Sequence, residues 1–91
     1  MAAFTAPQIL TAARAVVARG YANQAYLCDV ATALGTTVSA LAGTLNDLHR
    51  KGEITLCRAD LVGAMDAGKV AASEIHHPML ASATFHFVIA A

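Results

Sequence analysis

Apolar residues recur at Ile9, Leu10, Ala13, Val16 and Val17, the spacing of one helix face, with Arg14 off that face. Ahead of them, Thr5-Ala6-Pro7-Gln8 has the form of a capping box. Thr5 is the N-cap, Gln8 reaches back, and Pro7 stands where a missing N–H costs nothing. Phe4 and Ile9 occupy the positions of a hydrophobic staple. Arg19-Gly20 is a stop, a cation in the last turn followed by a residue free to take positive φ. The pattern predicts a first helix from Pro7 to Arg19. Tyr21 to Leu27 reads as a connector whose apolar end, Tyr26-Leu27, suits a short strand. Asp29 is placed to cap a short second helix, Val30 to Leu34, closed by Gly35.

The third helix is the most regular segment. Thr36 or Thr37 caps it, and Val38, Leu41, Leu45 and Leu48 form one apolar stripe. Lys51-Gly52 ends it with the same cation-then-glycine device. Opposite the stripe lie Ser39, Ala40, Gly43, Asn46, Asp47 and Arg50. Gly43, near the middle of that outward face, costs helix stability relative to Ala, so close approach of another molecule is the reading that gives it a purpose.

After Gly52 the period changes. Glu53-Ile54-Thr55-Leu56 alternates and predicts a short strand. Arg58 to Met65 is expected to form one or two helical turns, broken at Asp66-Ala67-Gly68. Two strand-like runs follow, Ser73 to His77 and Thr84 to Ile89, joined by a loop from Pro78 to Ser82. In the second run Phe85, Phe87 and Ile89 alternate, and with Ile75 they are expected to face the helices. His76 and His86 then fall on the other face. A core of Leu41, Leu45, Leu48, Phe85 and Phe87 is the expectation.

With 91 residues the chain is read as one small domain, 1–91. Its apolar share of 57% overstates the core, because 22 residues are Ala. Six Lys+Arg balance six Asp+Glu, which excludes a strongly basic or acidic tail. The first cation is Arg14, so no basic leader is visible, and no apolar stretch reaches the roughly 20 residues a spanning helix needs. Cys28 and Cys57 have no pairing pattern and read as small buried hydrophobes. The expectation is a soluble cytoplasmic protein without membrane contact.

The run Val30-Ala31-x-Ala33-Leu34-Gly35-Thr36-Thr37-Val38-Ser39, followed by Leu45, Leu48, Gly52 and Ile54, resembles the bacterial winged-helix regulators, of which the MarR-like group is one. The resemblance covers Asp29 to Ile54, and the rest by order of elements. It implies an α+β winged helix-turn-helix. Three N-terminal helices precede a short strand, a short helical insertion and a C-terminal β-hairpin. In that family the short helix, the turn and the next helix read DNA, and the following strand pair is the wing. Simple members pass almost directly into the wing, whereas here Arg58 to Ala72 intervenes.

Carried onto this chain, the resemblance implies that double-stranded DNA is contacted by Thr36, Thr37, Ser39, Ala40 and Gly43 at the start of the reading helix, with Arg50 and Lys51 holding phosphates. Transcription regulation or an accessory role is the expected use. Asp47 puts a negative charge on the same face, and the first two turns carry no Arg, Lys, Asn or Gln. The alternative is therefore a protein partner on the face around Gly43. A homodimer is expected, through the first helix or a free strand end at Val88 to Ala91, and would double the few cations.

Other chemistry is poorly supported. His49, His76, His77 and His86 with the two cysteines lack zinc spacing, although Glu74 could join His76 and His86 across two strands. No phosphate loop, paired acid motif or nucleophile elbow is present. Neither an enzyme nor a cofactor is expected.

Overall fold

The computed structural model describes residues 4–17, 24–58, 67–76 and 84–90. It is an α+β fold of four helices and two small antiparallel sheets. The order is α1 (Ala6–Ala15), β1 (Gln24–Tyr26), α2 (Leu27–Ala33), α3 (Val38–Arg50), β2 (Leu56–Cys57), α4 (Ala67–Ser73), β3 (Ile75–His76), β4 (Thr84–Phe85) and β5 (Phe87–Ile89).

Local signals set the helix ends. The Thr5 N–H donates to Gln8 Oε1 at 2.8 Å and the Gln8 N–H returns to Thr5 Oγ1 at 3.4 Å, so the capping box is formed. Phe4 packs against the core beside fully buried Ile9. The buried arc of α1 runs through Ala6, Ile9, Ala12 and Ala13, with Leu10 and Val16 at its edge. Val17, expected on that stripe, lies past the helix end and is exposed. The helix stops at Ala15, short of Arg19, which lies outside the described residues. In α3 the expected stripe holds: Leu41, Leu45 and Leu48 are buried, and Val38 packs beside them.

β5 runs between β1 and β2, so the larger sheet has the order β1-β5-β2. Ala25 pairs with Val88 and Leu56 also pairs with Val88, while Tyr26 and Cys57 both pair with Phe87. Opposed residues share a face and neighbours alternate. One face is therefore Ala25, Val88 and Leu56, which join the main core with α1, α2 and α3. The other is Tyr26, Phe87 and Cys57, covered by Val70 of α4. The Tyr26 and Phe87 rings lie 4.7 Å apart. β3 and β4 form a separate two-stranded sheet, and β3 packs on α3.

Several expectations are corrected by packing. The run Thr84 to Ile89 is two strands in different sheets, broken at His86. Phe85 remains with the α3 side, half-buried, its ring 5.0 Å from that of His49. Phe87 belongs to the opposite layer. His86, expected on the open face, is buried at 5% exposure, with Glu74 Oε2 3.4 Å from its Nε2. Of the break expected at Asp66-Ala67-Gly68, Ala67 and Gly68 lie instead in the first turn of α4, and Asp66 is outside the described residues. The helical turns expected from Arg58 to Met65 lie, beyond Arg58, outside the described residues. Val88 to Ala90 is no free strand end: β5 is paired on both sides, and Val88 and Ala90 are buried. Among the described residues no single helix is long and apolar enough to cross a membrane.

Candidate functional site

α2 and α3 meet at 108° across Leu34-Gly35-Thr36-Thr37. Two glycines shape this corner and the far end of α3. Gly35 takes φ 72°, its N–H donates to the Thr32 carbonyl at 3.1 Å, and the Thr36 N–H reaches the Ala31 carbonyl at 2.9 Å. Gly52 takes φ 77°, its N–H donates to the His49 carbonyl and the Glu53 N–H to the Leu48 carbonyl, both at 3.0 Å. Both are the paired bonds of a Schellman ending, in which the left-handed residue turns the chain back onto the last carbonyls. Of the two expected caps of α3, Thr37 is the one used: its Oγ1 accepts the Ala40 N–H at 3.1 Å.

Thr37, Ser39, Ala40, Gly43, Arg50 and Lys51 are exposed and follow one continuous side of α3, while Thr36 is half-buried in the turn. A methyl group at Gly43 would meet nothing within 4 Å among the described residues beyond its own helix backbone, so no contact with them requires the glycine. Asn46 does not belong to this open side. Its Nδ2 donates to the Ala42 and His76 carbonyls, at 3.1 and 3.0 Å, which ties α3 to β3. Its Oδ1 is buried and finds no partner among the described residues.

Arg50 and Lys51 both turn to Asp47. The Arg50 guanidinium bonds one carboxylate oxygen and Lys51 Nζ lies 3.1 Å from the other. Lys51, and then Arg50, hold the Asp47 carboxyl below its ordinary range. All three side chains are well exposed, so these ion pairs exchange readily with other anions. Arg14 donates from Nε to the Ala90 carbonyl at 3.2 Å and ties α1 to the end of β5.

A second polar group lies behind α3. Glu74 presents Oε2 to His86 Nε2 at 3.4 Å and Oε1 to His76 Nε2 at 3.8 Å. Glu74 thus stands between the two histidines, but not as the exposed cross-strand set expected: His76 is opposite Thr84, and His86 lies between β4 and β5 and is buried. Among the described residues no group of three His, Cys, Asp or Glu is arranged to hold a metal ion. A groove of about 480 Å³ runs beside it, between Val38, Ser39 and Ala42 of α3 and Ala72, Glu74, Ile75 and His76.

The sequence reading missed how α2 begins. Its N-cap is Tyr26, which offers no side-chain cap, and Asp29 sits inside the first turn instead. The Leu27 N–H donates to the His86 carbonyl at 3.1 Å and the Cys28 N–H to Ser73 Oγ at 3.0 Å. Asp29 pairs with Lys69 of α4 at 3.0 Å, and Lys69 Nζ lies 5.6 Å above the Tyr26 ring. These partners are 40 or more residues away in sequence, so no local signal announces them. Comparison with known proteins adds no relative: no family model, no curated protein and no solved structure matches the chain.

Proposed function

We propose that this chain is a winged-helix protein that binds double-stranded DNA through α3, as a transcriptional regulator or accessory factor in the cytoplasm. The observation that carries the reading is the α2–α3 corner. Two helices at 108°, joined by a four-residue turn containing Gly35, have the geometry of a helix-turn-helix. In that motif the second helix lies in the major groove and its N-terminal residues meet base edges. Here those residues are Thr37, Ser39, Ala40 and Gly43, small, exposed and unobstructed. Thr36 sits half-buried in the turn, and its hydroxyl is assigned to a phosphate contact. Arg50 and Lys51, at the C-terminal end, are the phosphate contacts, and they bind by leaving Asp47 for a stronger anion. Strands β2 and β5 are paired neighbours, and α4 with the β3–β4 pair comes between them in chain order, the place in sequence where a winged helix has its wing. A homodimer would set two such helices against one duplex and double the cations.

A protein partner on the face around Gly43 is the second reading. One observation favours it: Asp47 neutralises part of the charge that DNA requires. Backbone amide shifts during titration with mixed duplex at low salt separate the two. DNA binding moves Thr37 to Gly43 together with Arg50 and Lys51. Absence of any shift there, at protein and duplex concentrations near 0.1 mM or about that order, removes the DNA reading and leaves the partner reading.

A further inference from the structure

We infer that α4 braces the helix-turn-helix, with Ser73 and Lys69 as positioning residues for α3. This rests on the reading of α3 as the DNA-contacting helix. The first N–H groups of a helix have no partner within it, and a side chain just ahead of the helix ordinarily supplies one. α2 lacks that device, because its N-cap is Tyr26. Its first two N–H groups are taken instead by the His86 carbonyl and by Ser73 Oγ. Both acceptors come from the chain that separates β2 from β5.

Ser73 and Lys69 stand four residues apart on α4 and so share one of its faces. That face meets the start of α2 at three further points. Lys69 pairs with Asp29, its ammonium lies over Tyr26, and its carbonyl accepts from Cys28 Sγ at 3.8 Å. Val70 beside them is buried against Tyr26 and Phe87. Ser73 is fully buried, so its hydroxyl has no solvent to fall back on. At its other end α2 is tied to α3 through the Gly35 turn, so a shift at Cys28 is passed to Thr37 and the small-residue face. A segment that a simple winged helix would send toward DNA here holds the reading unit in place from behind.

Ser73→Ala and Lys69→Gln test this in the full chain, read by amide hydrogen exchange and by duplex binding across salt. Loss of one cap corresponds to a factor of roughly 2 to 30. Ser73→Ala is expected to speed exchange at Cys28 to Ala31 by such a factor and to perturb amide shifts at Thr37 to Gly43. Duplex affinity should fall while the salt slope stays as in wild type, because the phosphate contacts themselves remain. Lys69→Gln, on the exposed side of the same contact, should act in the same direction and more weakly. Exchange confined to wild-type values at α2, or faster exchange there with Thr37 to Gly43 unmoved, would overturn the brace. A wild-type protein that fails to bind duplex at low salt would sink the DNA reading alone, and the exchange and shift measurements would still decide whether α4 positions α3.

Discussion

Among the described residues, the two faces of the β1-β5-β2 sheet are covered on different scales. One meets three helices and a cluster that includes Ile9, Leu27, Val30, Leu41 and Leu45, all at 0–1% exposure. The other meets α4, and among the described residues its cluster is Tyr26, Val70 and Phe87 with two half-buried cysteines. The first face is a shared core, where removing any large side chain is felt throughout. The second is a docking surface for a short helix, held by a small apolar patch and a few polar ties. The contrast teaches that one strand register can serve a fold's foundation and an attachment at once, because Val88 and Phe87 point opposite ways.

The largest expected effect lies in the first face. Leu45→Ala should cost about 2–5 kcal/mol, a large part of the stability of so small a domain. Denaturant unfolding should show one cooperative transition at a lower midpoint, whichever region is probed. A loss under about half a kcal/mol would mean that the shared core is misplaced. Val70→Ala comes next, at about 1–2 kcal/mol for two buried methyl groups. Its effect should be uneven, with amide exchange faster in α4 and at Cys28 than in α3. Equal acceleration everywhere would erase the distinction between the two faces.

Most of the first region was legible because its instructions are local. Thr5 with Gln8, Thr37 with Ala40, and glycines 35 and 52 act within a few residues of themselves. The leucines of α3 show their partner face by spacing alone. The second region is written in contacts that sequence distance hides. Gly68 looks like a breaker, yet it lies in a first helical turn where unpaired N–H groups are normal. His86 looks like the outward member of an alternating strand, yet it marks where the chain passes from one sheet to the other and is buried beside Glu74. The candidate site divides the same way. Exposure of Ser39, Ala40 and Gly43 followed from helical period, whereas capture of Asn46 by β3 and of the α2 N-terminus by α4 did not.

The smallest effect concerns Asp47. Its carboxyl is held below the ordinary range in the folded protein by Lys51 and Arg50, so the ion pairs stabilise the end of α3 above that range. That contribution should fade as pH falls through the lowered carboxyl pKa, and should be absent from Asp47→Asn. Amide exchange at the end of α3, followed against pH in both proteins, checks the sign. A greater stabilisation at low pH than at neutral pH would contradict it. The same substitution releases Arg50 and Lys51, so it should raise duplex affinity and steepen its salt dependence.

The account stands most directly on the salt dependence of duplex binding by the unmodified protein and by Arg50→Ala and Lys51→Ala. It predicts measurable binding at low salt, a linear fall of log K with log salt, and a slope reduced by about one for each substitution, alike on unrelated sequences. No binding at low salt, or binding whose slope ignores both residues, would contradict the assignment of α3 as a DNA-reading helix.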